Sequence, residues 1–145
     1  MAEFQRIRDV AMAALRHKDG TAHRLPTIGR SQLRGEDRII AIGPDEWLIV
    51  AADDDDVALL SRVAALDGIA INVSGNRACF RSGFHFLQNT CAYDVTSMLP
   101  DAAVATVLGR AQIILVKEAE PGSFLVLPRR SFARYLEELS LANRG

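Results

Sequence analysis

Residues 47–82, WLIVAADDDDVALLSRVAALDGIAINVSGNRACFRS, decide the fold of this chain. The stretch predicts a strand at 47–52, a helix at 53–66 and strands at 69–73 and 78–82. Asp53 to Asp56 complement the positive end of the helix dipole and supply a cap. Asp67-Gly68 ends the helix. Its apolar stripe is formed by Leu59, Leu60, Val63 and Leu66.

The order of these elements indicates a fold class. The spacing predicts a second helix at 84–91 and a further strand at 104–108, and Ser74 to Arg77 is typical of a hairpin connection between the strands at 69–73 and 78–82. The order strand, helix, strand, strand, helix, strand is the split βαβ pattern of ferredoxin-like folds. We therefore predict an α+β domain with a mainly antiparallel sheet.

The flanking segments extend this core. A hairpin of strands 38–42 and 47–52 is predicted around Gly43-Pro44-Asp45-Glu46, since proline suits the first central position of a tight turn. Further strands are expected at 113–117 and 124–127. A last helix carries Phe132, Tyr135, Leu136 and Leu139 at helical spacing.

The N-terminal region is predicted to lie outside that core. Phe4, Ile7, Ala11, Ala14 and Leu15 repeat at helical spacing, which predicts an amphipathic helix over residues 3–17. Residues 18–36 are polar and rich in glycine and arginine, which indicates an extended arm. We therefore expect one domain over residues 1–145, with a helix and arm at 1–37 and an α+β core at 38–145.

Composition excludes several functional classes. The chain has 145 residues, 49% of them hydrophobic, and a net charge of −1, which gives no reason to expect nucleic acid or an anionic membrane as partner. The N-terminus has no apolar region typical of a secretory signal, and no apolar run reaches the length of a membrane span. These features predict a soluble, cytoplasmic protein.

The motifs of common catalytic and cofactor sites are absent from the sequence. It contains no G-x-G-x-x-G, no phosphate-binding G-x-x-x-x-G-K-[ST], no H-E-x-x-H and no G-x-S-x-G. Cys79 and Cys91 fit no zinc or redox spacing. We therefore predict no catalytic residue, no cofactor-binding residue and no metal ligand in this chain.

Four residues are candidates for a partner interface. Arg77 and Arg81 are predicted on one face of the same strand, where they could clamp a carboxylate or phosphate, or form ion pairs with acidic residues of this chain or of a neighbour. Ion pairing is the favoured interpretation. Phe84 and Phe86 cannot both face the core of a helix, so one of them is a candidate for contact with a partner subunit.

Five short blocks of sequence occur in an order that is typical of one known family. They are Gly43–Leu48, Ile71–Gly83, Thr90–Asp94, Ala105–Ala111 and Arg130–Leu136. With these blocks the chain resembles the gamma subunit of heterotetrameric sarcosine oxidase and its relatives that oxidise N-methyl amino acids, whose fold is similar to the folate-binding T-protein of the glycine cleavage system. The likeness extends over about residues 38–141.

This resemblance implies a non-catalytic assembly subunit. Its expected partners are larger flavoprotein alpha and beta subunits and a small delta subunit, which would carry FAD, FMN, NAD, tetrahydrofolate and zinc among them. The complex would oxidise sarcosine or a related N-methyl amino acid and transfer the one-carbon unit to tetrahydrofolate. The chain departs from the family at Phe84-His85-Phe86 and Asn89-Thr90, which leaves the substrate open. The alternative is a free-standing, folate-binding aminomethyltransferase-like protein.

Overall fold

The computed structural model describes residues 3–7 and 10–143, and residues 1–2, 8–9 and 144–145 lie outside the described part. The described residues form ten strands and three α-helices. The strands are β1 (Phe4–Ile7), β2 (Met12–Arg16), β3 (Ser31–Arg34), β4 (Asp37–Gly43), β5 (Glu46–Val50), β6 (Ile69–Asn72), β7 (Cys79–Ser82), β8 (Ala103–Leu108), β9 (Ala111–Lys117) and β10 (Phe124–Pro128). The helices are α1 (Asp56–Ala64), α2 (Phe84–Thr90) and α3 (Ala133–Ala142).

The chain divides into two compact units. Unit 1 comprises residues 1–8 and 76–145, and unit 2 comprises residues 9–75. The sheet of unit 1 has the order β1-β7-β10-β9-β8, and that of unit 2 has the order β3-β4-β5-β2-β6. All the described strand pairs are antiparallel, so the predicted α+β class with a mainly antiparallel sheet is confirmed. The assignment of the whole chain to one domain stays a prediction.

Unit 2 contains residues 47–75 of the stretch that decides the fold, and the rest of that stretch, including β7, belongs to unit 1. β4 and β5 form the predicted hairpin. α1 follows, and its N-terminus is capped by Asp55, whose carboxylate accepts a hydrogen bond from the Ala58 N–H at 3.0 Å. Trp47 lies in the core, and its indole N–H donates to the Pro26 carbonyl at 2.8 Å. The aspartate cap is therefore present where the sequence predicts it, and Trp47 anchors the core of the unit.

Unit 1 has an aromatic core. Phe80 on β7 is fully buried, and its ring stacks on that of Phe4 with centroids 4.6 Å apart. Phe86 on α2 also packs against Phe4, with ring centroids 4.6 Å apart. Leu136 on α3 is also fully buried in this cluster, so both helices of the unit pack on the same core.

The predicted N-terminal helix is wrong. Residues 4–7 and 12–16 are strands. Residues 8–9 of the predicted helix lie outside the described part. β2 lies between β5 and β6, so its backbone groups are satisfied by two neighbouring strands. Met12, Ala13 and Leu15 are buried, as in a strand whose two faces are covered. Pairing within the sheet therefore overrides a spacing that also fits a helix.

Part of the extended arm predicted at residues 18–36 forms regular secondary structure. Gly20–His23 is a 3₁₀ turn, and β3 pairs with β4. Gly35 occupies the first position of the two-residue loop between them and has a φ of 63°. Glycine is strongly preferred at such positions of hairpin turns because it adopts positive φ without steric cost. Only the segments between these elements lack regular structure.

The hairpin predicted between residues 69–73 and 78–82 is wrong. β6 pairs with β2, whereas β7 pairs with β1 and β10. The Ser74 hydroxyl accepts a hydrogen bond from the Met12 N–H at 2.8 Å, and the Ser74 N–H donates to the Asn72 side chain at 2.9 Å. These bonds fix the end of β6 against β2, and the chain passes from unit 2 to unit 1 between Gly75 and Asn76.

Candidate functional site

The two phenylalanines proposed as partner contacts have different environments. Phe86 is 5% exposed and belongs to the core of unit 1. Phe84 packs against the same core but is only partly buried. Positions i and i+2 of a helix point to different sides, as expected. Of the two side chains, only Phe84 therefore has a ring that is partly accessible to a partner.

Arg81 is engaged in an ion pair within this chain. Its Nε and Nη2 atoms donate to the two carboxylate oxygens of Glu118 at 2.8 and 3.0 Å. This bidentate hydrogen bonding raises the pKa of Arg81 above its ordinary value. For Arg81 the structure gives the ion pair favoured by the sequence, and its partner is part of this chain.

Arg77 does not share the environment of Arg81. It precedes β7 and faces Arg129 in an isolated antiparallel bridge. Its Nη1 atom donates to the Leu127 carbonyl at 2.8 Å. Burial, and secondly the charge of Arg129, lower the pKa of Arg77 from its ordinary value. The two arginines proposed as one clamp therefore belong to two separate sites.

A cavity of about 320 Å³ opens beside Arg77 and Arg129. β8 and β9 supply the rest of its lining, including Thr106, Val107 and Gln112. Sequence reasoning missed Arg129, because nothing in the spacing shows that it faces Arg77 across the sheet.

The edge strand β6 exposes apolar side chains. Ile69 is 66% exposed and Ile71 is 57% exposed, whereas Ala70 between them packs against the core of unit 2. β6 is the last strand of its sheet, so one side of its backbone has no neighbouring strand among the described residues. Edge strands are usually protected by charged residues or proline, and the sequence IAIN contains neither. This combination marks β6 as a surface suited to contact with another protein.

Two of the three histidines, His17 and His23, make polar contacts in the described part of the chain. His23 Nε2 lies 3.1 Å from an Asp67 carboxylate oxygen, and His17 Nδ1 accepts a hydrogen bond from the Asp19 N–H at 2.9 Å. Within residues 3–7 and 10–143, no group of three or more histidine, cysteine or acidic side chains is placed to hold a metal ion.

Cys79 is expected to resist alkylation in the folded protein. Burial raises the pKa of its thiol from 9.0 to about 12. The thiol is therefore protonated at pH 8, and the thiolate is the reactive form. Because the folded pKa is above the unfolded one, the stability that this group contributes is present below about pH 9 and is lost as the pH rises through about 12.

Peptide mapping after iodoacetamide treatment at pH 8 checks this expectation. Cys91 is a free thiol that is less buried than Cys79 and serves as the internal reference. Cys91 should be labelled first, and Cys79 only after denaturation. Labelling of both cysteines at equal rates in the native state would contradict the burial of Cys79.

Comparison with solved structures shows a T-protein-like fold. The chain matches heterotetrameric sarcosine oxidase from Corynebacterium sp. U-96, solved in complex with pyrrole 2-carboxylate, with a TM-score of 0.81 and 21% identity over 96% of this chain and 81% of that chain. It also matches the glycine cleavage system aminomethyltransferase T from Bartonella henselae, with a TM-score of 0.72 and 13% identity over 97% of this chain and 45% of that chain. This chain therefore spans less than half of the aminomethyltransferase.

The sequence comparisons identify no family. No family model matches the chain, and neither does any curated protein. Among the described residues, no helix is long and apolar enough to cross a membrane.

Proposed function

We propose that this chain is a non-catalytic assembly subunit, corresponding to the gamma subunit, of a heterotetrameric flavin-dependent complex that resembles sarcosine oxidase. One observation carries the proposal. The structural likeness covers 96% of this chain and 81% of the matched sarcosine oxidase chain, so the two chains are close in length. A fold that extends over nearly all of this chain and about four fifths of the other favours the same place in the same kind of assembly.

The proposed assembly assigns the chemistry to other subunits. The complex would oxidise sarcosine or another N-methyl amino acid and pass the one-carbon unit to tetrahydrofolate. FAD, FMN, NAD, tetrahydrofolate and zinc would be bound by the alpha, beta and delta subunits. In the described part of the chain, Arg81 is paired with Glu118, and His23 is paired with Asp67. Because these side chains are engaged with each other, they fit a structural role better than a catalytic one.

The edge strand β6 is the proposed contact with a larger subunit. Ile69 and Ile71 lie on the same face of the strand, because side chains two residues apart point the same way. Their exposed apolar area would be removed from water in the complex, and the free backbone groups of β6 would be available to a strand of the partner. Phe84, Arg77 and Arg81 stay predicted contacts.

We expect Ile71→Lys to weaken assembly while leaving the fold intact. Burying an isoleucine side chain stabilises an association by about 1.5–3 kcal/mol, so losing it should reduce partner binding about tenfold or more. The measurement is the yield of partner subunits captured by the affinity-tagged chain in its source organism. The control is Leu141→Lys on α3, because Leu141 is similarly exposed at 60%.

The comparison of the two variants decides the role of β6. Reduced capture by Ile71→Lys with normal capture by Leu141→Lys supports a contact at β6. Equal capture by the two variants would exclude β6 as the contact surface. Circular dichroism of each purified variant shows whether its fold is retained.

The alternative function is a free-standing, folate-binding aminomethyltransferase-like protein. The fold similarity to aminomethyltransferase T favours it, although this chain spans only 45% of that protein. Calorimetric titration of the isolated chain with tetrahydrofolate separates the two functions. The assembly subunit is expected to give no tight binding, whereas tight binding that a simple carboxylate such as citrate does not displace would favour the aminomethyltransferase-like protein.

A further inference from the structure

Arg77 and Arg129 lie directly opposite each other on neighbouring antiparallel segments. They form the type of cross-strand pair in which the two side chains are closest together. The Ala78 N–H donates to the Pro128 carbonyl, and the Arg130 N–H donates to the Asn76 carbonyl. These two bonds flank the bridge between Arg77 and Arg129, which makes it a non-hydrogen-bonded antiparallel pair. Side chains in such a pair lie on the same face of the sheet, with their Cβ atoms about 4.5–5.5 Å apart.

The charges of this pair are not balanced within the described part of the chain. The described residues place no carboxylate in an ion pair with either guanidinium, and Arg77 has only the Leu127 carbonyl as a hydrogen-bond acceptor. Like charges directly opposite each other on a sheet destabilise it. Arg77 is also partly buried, so its charge is poorly solvated. An anion between the two guanidinium groups would relieve both costs.

The cavity beside the pair supplies a further hydrogen-bond donor. Its lining includes the side-chain amide of Gln112, and it contains no acidic side chain. The register of β8 and β9 pairs Gln112 with Val107, so these two side chains lie on the same face of the sheet. A volume of about 320 Å³ is enough for a small molecule and lies at the lower end of the range of ligand pockets. Val107 and Ile114 contribute an apolar wall. The cavity therefore combines positive charge, a neutral donor and an apolar surface.

We propose that this cavity binds a small molecule through an oxyanion, a carboxylate or a phosphate, held between Arg77 and Arg129. The planar guanidinium groups match the geometry of both anions, and each can donate two parallel hydrogen bonds. The carbon part of the ligand lies along Val107. This binding goes beyond the assembly role and does not depend on it, because it occurs in the isolated chain.

Titration calorimetry of the isolated full-length chain with sodium citrate and with sodium phosphate tests the proposal. Sodium chloride at matched ionic strength is the control for general screening. Saturable binding of at least one of the two oxyanions is the expected result. Heats no different from those of chloride for both would overturn the proposal.

Two variants locate the binding. Arg129→Gln removes an exposed guanidinium that has no described partner within the chain, and it is expected to weaken oxyanion binding about tenfold or more. Arg134→Gln, which alters an exposed arginine on α3, is expected to leave the affinity unchanged. Equal affinities of the two variants for the oxyanion would overturn the assignment of the binding site to Arg77 and Arg129. The thermal midpoint of each variant verifies that it is folded.

Discussion

Replacing Phe80 with alanine is expected to lower the free energy of unfolding by about 3–5 kcal/mol. The side chain is fully buried, and its ring stacks on that of Phe4 at 4.6 Å, so the substitution leaves a cavity among aromatic rings. Phe86 and Leu136 close the same cluster and cannot fill the space without leaving their own contacts. Urea denaturation followed by far-UV circular dichroism measures the effect.

Phe84→Ala is the matched control. Phe84 packs on the same core but is only partly buried, so a smaller loss of stability is expected. Equal losses for the two variants would contradict the central place of Phe80 in the core of unit 1.

The same experiment tests whether the chain is one domain. Trp47 is the one tryptophan of the sequence and lies in unit 2, so its fluorescence reports on that unit when Phe80 in unit 1 is changed. A single cooperative domain requires the fluorescence and circular dichroism transitions of Phe80→Ala to coincide. Separate transitions would show that the two units unfold independently.

Replacing Trp47 with alanine is the second large effect and is also expected to cost about 3–5 kcal/mol. The indole packs closely, since a methyl group added at Gly20 would lie 2.7 Å from the Trp47 Cζ2 atom. The substitution also leaves the buried carbonyl of Pro26 without its donor, which adds a desolvation cost of about 1–3 kcal/mol.

Trp47→Phe separates the two contributions. It keeps most of the apolar packing and loses the hydrogen bond to Pro26, so its destabilisation should be clearly smaller than that of Trp47→Ala. Chemical denaturation by circular dichroism measures both variants. Similar losses for the two would mean that the hydrogen bond, and not the packing of the ring, dominates at this position.

The sequence predicts those parts of the fold that local patterns determine. The aspartates before α1 and the apolar stripe within it predict that helix, and the turn residues 43–46 predict the β4–β5 hairpin. The strand order within each sheet depends on pairings between distant residues, which local patterns do not contain. β2 pairs with β6 across more than fifty residues, and its apolar spacing fits a helix equally well.

The candidate sites are less predictable for the same reason. The sequence predicts a strand at residues 69–73 but does not show which of its side chains face outward. In the structure Ala70 packs on the core of unit 2, whereas Ile69 and Ile71 are exposed. Arg129 becomes a site residue only through its bridge to Arg77. Pairing across the sheet, and not spacing along the chain, creates both features.

Native mass spectrometry of the affinity-tagged chain, purified from its source organism, tests the assembly role most directly. The expected result is a complex in which this chain accompanies two larger flavin-containing subunits and a small fourth subunit, with no flavin on this chain after the complex is dissociated. Recovery of this chain alone, with turnover of an N-methyl amino acid by the solitary polypeptide, would contradict the proposed function.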